Sequence, residues 1–270
     1  MAASSIFWLR IAACFYAVGL LHSILVLVRG SSVLYPLARG AFRIGATLQA
    51  VAIVELGMAL GRIPVDNFYQ TLSLCALLIA VLFLAVEWKY HFATTAVAHF
   101  PLVFVMTLAA ATEPHVSVAL TDVRGRETWL AIHIVLVLAG YASLLLTAVA
   151  SICYLVQERR LKTKKPGRLL ERLPPLATLD KLISNSLGVA FVLITLGLVL
   201  VIMWEFIYSG TAWISDPRVT VSLVTWALLV ATTYLHATAG WRGRKAAVMA
   251  LVVLGCSIVT WTAHAGLVTR

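Results

Sequence analysis

Apolar runs of membrane length follow one another along the whole chain, separated by short polar stretches. About 20 apolar residues suffice for a helix to cross a bilayer. Eight such runs stand out, at roughly 8–28, 41–60, 70–88, 93–112, 128–156, 183–205, 219–239 and 246–268. With only 12% of residues charged and 61% hydrophobic, the chain could not solvate a soluble surface of its size. The expected fold is therefore all-α: a polytopic membrane protein of about eight transmembrane helices, forming one transmembrane domain over residues 1–270. The first run is read as a span and not as a secretory signal. MAASSIF ahead of it has no Lys or Arg, and no small-residue cleavage site comes after it.

Basic residues set the expected orientation. The loops after the first, third, fifth and seventh runs carry 15 of the 21 Lys and Arg, and the loops after the second, fourth and sixth carry 4. The positive-inside rule places the first set in the cytoplasm and both termini outside. The longest cytoplasmic loop, about 157–182, has a basic half suited to an anionic leaflet. Within it LLERL and LATLDKL flank Pro174 and Pro175, a pattern that suits either short interfacial helices or a solvated topogenic linker. The net charge of +10 is thus a matter of topology and does not point to nucleic acid.

The four cysteines lie inside apolar runs and form no CxxC pair, which argues against a disulfide framework, a zinc site or a thiol-exchange motif. CxxCH is absent, as are HExxH, GxSxG, a P-loop and GxGxxG. No catalytic residue is nominated.

The residues that can carry chemistry are histidines in spans, where an ionisable side chain is costly and faces the bundle interior. His91 and His115 fall in loops. His22, His99 and His236 lie ~5–10 Å from the cytoplasmic ends of their spans, and His133 and His264 ~6–8 Å below the outer surface. The outer pair lies under a loop of about 205–219 that contains Gly210, Trp213, Asp216 and Pro217. Two imidazoles at equal depth on different helices can serve as axial ligands of a haem iron. They can equally be helix-packing hydrogen-bonders. Trp129 lies one turn above His133 on the same helical face, and Tyr141 two turns below it. Asp216, two residues ahead of the seventh run, is suited to capping that helix. Glu55 is a further intramembrane charge at the depth of Arg10 and is the one feature that favours a proton-coupled transporter.

Several stretches resemble the cytochrome c assembly family of haem-handling membrane proteins, in its shorter HemX-like, CcsA-domain branch. They are RIPVDNFYQTLSL (62–74), WLAIHIVLVLAGYASLLL (129–146), LPPLATLDKLISNSLGVAFVLITLGL, GTAWISDPRVTVSLVTW and YLHATAGWRGRKAA. The resemblance implies a periplasmic tryptophan-rich loop that holds haem, with His133 as the first external histidine and His236 as an inner one. Gly210, Trp213, Asp216, Pro217, Thr225 and Trp226 match the loop. Ser209 and Ser215 stand where Trp is usual, Val219 where Glu is usual, and Glu55 where relatives often have His. The chain ends before the family's Leu-His-Ser-Tyr motif, so His264 is a positional substitute for the second external histidine.

The resemblance implies a bacterial inner-membrane protein that binds non-covalent, b-type haem or passes it on during cytochrome c maturation or tetrapyrrole supply. The candidate haem-binding residues are His133, His264, His236, His22, Trp213, Asp216, Pro217 and Trp129, with His133 and His264 on the iron. As an enzyme it would be at most one subunit of a haem lyase. Expected partners are haem, other maturation or membrane proteins, and the bilayer. The alternatives are a non-catalytic membrane adaptor with a degenerate loop and, more weakly, a transporter using Glu55.

Overall fold

The structure is a computed structural model that describes residues 2–29, 35–90, 96–112, 124–163, 174–209, 217–241 and 243–268. Its described residues form eight helices: α1 (Ala2–Arg29), α2 (Tyr35–Leu60), α3 (Phe68–Tyr90), α4 (Ala96–Ala110), α5 (Arg124–Thr163), α6 (Leu176–Ser209), α7 (Pro217–Thr238) and α8 (Arg244–Val268). Six contain stretches long and apolar enough to cross a membrane, and His99–Ala110 of α4 is a shorter apolar helix. The chain is an all-helical, multi-pass membrane protein.

Several helices run further than their apolar cores. α2 begins at Tyr35, and α5 continues to Thr163, where Lys162 Nζ and Glu158 Oε1 pair at 2.7 Å one turn apart. LATLDKL is not a separate interfacial helix. It is the first part of α6, because the Pro175 carbonyl accepts from Thr178 and Leu179 and opens the helix directly after the two prolines. LLERL lies outside the described residues.

Two compact units divide the chain, with the boundary between Ala131 and Ile132 in α5. One unit is built from α1 to α4 and the first turns of α5. Its α1 and α2 are antiparallel and approach closely because small residues line the seam. Ala12 and Ala38 are fully buried, and a Cβ on Gly45 would lie 3.0 Å from the Tyr16 ring. Phe42 stacks on Phe100 at 4.3 Å, and Phe83 on the buried His99 at 4.5 Å.

Within this unit a polar node joins α1, α2, α3 and α4. Tyr16 of α1 donates to Gln49 Oε1 of α2 at 2.8 Å, and Thr107 of α4 donates to the same oxygen at 3.4 Å. Gln49 Nε2 donates to the Ser73 carbonyl of α3 at 3.0 Å. All four side chains are buried.

The RIPVDNFYQ segment is a corner between α2 and α3. Gly61 takes a left-handed φ of +68°, and Arg62 N–H reaches back to Gly57 O, which closes α2. Asn67 Oδ1 then accepts from Gln70 N–H as the N-cap of α3, and Gln70 Oε1 accepts from Asp66 N–H.

In the other unit α5 and α6 are antiparallel and meet through Gly140 and Gly197. A Cβ on Gly140 would collide with Ile194. Deeper in, Ser143 Oγ donates to Ser186 O and Thr147 Oγ1 to Ser186 Oγ, both at 2.8 Å. Leu144, Leu187, Ala190, Ile194, Leu229 of α7 and Val253 of α8 form the core.

The node predicts a large effect from one substitution. Gln49→Leu should destabilise the protein by about 1–3 kcal/mol, because buried Tyr16 and Thr107 hydroxyls lose their acceptor. Thermal unfolding in detergent checks this, and an unchanged midpoint would show that the node contributes nothing.

Candidate functional site

His133 lies in α5 where Gly197 brings the α6 backbone against it. A Cβ on Gly197 would sit 2.7 Å from Val137, so only glycine permits this approach. The result is a hydrogen bond of 2.8 Å between His133 Nδ1 and the Gly197 carbonyl. A carbonyl only accepts, so Nδ1 carries a proton and donates it. The ring is half-buried.

His236 ends α7 in the same unit. Its Nδ1 donates to Trp241 O at 2.7 Å and ties the last helical turn to the loop before α8. That loop is shaped by Gly240 and Gly243 at φ +63° and +64°. Gly243 N–H donates to Asp180 Oδ1 at 2.8 Å, and Lys245 Nζ lies 5.4 Å from the Trp241 ring centre. A Cβ on Gly243 would lie 2.5 Å from the Tyr154 hydroxyl, so His236 and its loop belong to the Tyr154 end of α5. His133 and Tyr154 are separated by ~30 Å of helix. The two histidines therefore occupy opposite ends of their unit and do not converge.

His22, in the other unit, donates Nδ1–H to Val18 O of its own helix at 2.8 Å. His22, His133 and His236 thus all donate Nδ1–H to a backbone carbonyl. A metal-bound imidazole usually donates its second N–H to a carbonyl or carboxylate, which orients the ring and raises its basicity.

The other candidates are scattered. Trp129 is an exposed residue of α5. Trp213 and Asp216 lie outside the described residues, as do the side chains of Pro217 and His264, whose backbones belong to α7 and α8. Tyr141 packs against the Leu144–Leu187 core. Glu55 is half-buried with Oε2 lacking a hydrogen-bond partner, and it forms no ion pair with Arg10, which is exposed. Among the described residues no three His, Cys, Asp or Glu gather as a metal-binding group.

Residue pattern alone did not single out Gly197, Gly140, Gln49 or Thr195. Thr195 Oγ1 accepts from Trp226 Nε1 at 3.0 Å, so Trp226 is fixed against α6. The available signal was the glycine within the otherwise bulky run VLITLGLVL, since glycine in a membrane helix marks close helix approach.

His22, His133 and His236 are thus each oriented by a backbone carbonyl within the helices of a multi-pass membrane protein. Residues 64–262 match the family model described as Cytochrome C assembly protein, and the chain belongs to that family. It is similar to proteins named Cytochrome c biogenesis protein CcsA. That of Thermosynechococcus vestitus is 28% identical, over 86% of this chain and 85% of the relative. Those of Heterosigma akashiwo and Mesostigma viride are each 26% identical, the first over 68% of each chain and the second over 52% of each.

The close approach at Gly197 yields a paired prediction. Gly197→Ala should destabilise by about 1–3 kcal/mol through overpacking against Val137. Gly188→Ala, with nothing within 4 Å of its new Cβ, should be neutral or mildly stabilising. Unfolding midpoints of the two variants check this, and equal midpoints would refute the contact.

Proposed function

We propose that this protein handles haem in the membrane during cytochrome c biogenesis, binding it non-covalently at an outer site. His133 and His264 would hold it through their imidazoles, and the Trp213–Asp216–Pro217 loop with Trp129 would cover it. His236 and His22 belong to an inner level, reached from the cytoplasm. The observation that carries this reading is the His133 Nδ1–H bond to Gly197 O, since a backbone carbonyl orients this ring in the way metal-bound imidazoles are usually oriented. Similarity to proteins named for cytochrome c biogenesis supports it. Haem, when bound, would supply the iron for axial ligation. The chain's own residues would orient one imidazole through a backbone carbonyl, wall off water with apolar helices, and cover the group with indole.

In its cellular setting the protein sits in the bacterial inner membrane with both termini outside, works with other cytochrome c maturation proteins, and is at most one subunit of a haem lyase. A colourless but fully folded purified protein would favour a non-catalytic membrane adaptor.

Two measurements test the reading. In the detergent-purified protein, His133→Ala should convert a low-spin haem spectrum to high spin or abolish it, with recovery on added imidazole. His236→Ala should leave that spectrum largely intact. Identical spectra for wild type and His133→Ala would leave His133 as a packing histidine. Cysteine labelling should place Gly167 in the cytoplasm and Trp213 outside, and labelling of both from one side would remove the outer and inner levels altogether.

A further inference from the structure

Between α1 and α4 runs an apolar groove of about 680 Å³ that contains no histidine. Its floor on α1 is narrow-bodied, with Cys14 and Ala17, and its opposite wall is Phe104 and Leu108 of α4. Arg10 closes one end, beside Thr112, and is the one charged residue of the lining. The Thr112 hydroxyl is turned to Ala109 O at 2.6 Å. Arg10 and Cys14 are both exposed, and no acidic side chain pairs with Arg10 among the described residues.

An arginine inside a membrane span is costly unless its charge is matched or reaches the interface. Arg10 is six residues beyond Ser4, where the apolar span of α1 begins, or ~9 Å along the helix. Its side chain is long enough to carry the guanidinium toward the headgroup level while its methylenes stay in the groove. A guanidinium there matches a phosphate, which it can bind through two parallel N–H donors. From Arg10 to Ala17 the groove continues for ~10 Å with apolar walls only. One anionic head at the rim and one hydrocarbon tail below it are what this lining complements.

We propose that the groove holds an acyl chain of an anionic phospholipid whose phosphate rests on Arg10. The small residues at 13, 14 and 17 leave the volume, and the lone cation fixes the polar end. This site is independent of the haem reading, because none of its residues serves that site.

The test is native mass spectrometry of the full-length protein from phosphatidylglycerol nanodiscs. Wild type, Arg10→Gln, Cys14→Phe and, as a control on an exposed arginine elsewhere, Arg43→Gln are compared for tightly retained lipid. Arg10→Gln should weaken retention about tenfold by removing a charge-assisted contact. Cys14→Phe should do so by filling the groove, and Arg43→Gln should match wild type. Arg10→Lys should recover part of the loss, since it keeps the charge without the fork. Should Cys14→Phe fail to fold, Cys14→Leu takes its place. Wild-type retention in both Arg10→Gln and the groove-filling variant overturns the proposal. Equal retention of uncharged diacylglycerol overturns it as well, as does a dimer seen in wild type and lost in the groove-filling variant.

Discussion

Lipid offers no hydrogen bonds, so a polar side chain that enters a membrane helix is stabilised by a partner on another helix or on its own backbone. Gln49 feels this constraint most strongly. Its amide is completely buried, and its oxygen serves Tyr16 and Thr107 while its nitrogen serves Ser73. The four helices that meet there cannot slide without stranding a polar group, at a cost of about 1–3 kcal/mol for each one left unsatisfied. Dispersion alone would tolerate many registers among Leu, Val and Ala. The node selects one. Ser143, Thr147 and Ser186 fix the register of α5 against α6 in the same way, with Ser186 Oγ both accepting from Thr147 and donating to Leu182 O.

Glycine and alanine do the complementary work. Where a polar bond is to form, the backbones must first come close, and the small residues at 12, 19, 38 and 45 let α1 and α2 do so. Gly140 and Gly197 do the same for α5 and α6. At Gly197 the consequence reaches chemistry, since the exposed α6 carbonyl becomes the acceptor for His133. Packing and ring orientation thus share one cause.

Much of the architecture was legible in the chain because apolar length is a strong and local signal. All eight runs became helices, and the corner at Gly61–Gln70 arises from residue types with known local preferences. Helix ends were less legible. α2, α5 and α6 extend beyond their apolar cores because polar residues such as Asp180, Lys181 and Glu158 continue a helix once it leaves the membrane. The partners of buried groups were not legible at all. Gln49 reads like any polar residue in a span, and only three-dimensional proximity reveals that Tyr16, Ser73 and Thr107 surround it. The histidines were found from sequence as residues too polar for their surroundings, whereas the carbonyls that orient them were not.

Those carbonyls distinguish histidines that otherwise look alike. His22 donates to Val18 O one turn earlier in its own helix, a bond that forms wherever the helix forms and reports nothing about its neighbours. His236 donates to Trp241 O across a turn that two left-handed glycines shape, so its ring is as well placed as that loop is. His133 donates to a carbonyl 64 residues away, on a helix whose close approach depends on a single missing Cβ. To rotate its ring would strand Nδ1–H in apolar surroundings, and to move α6 away would undo the Gly140 and Ser186 contacts as well. Of these three rings, His133 is the one held by tertiary packing between two helices.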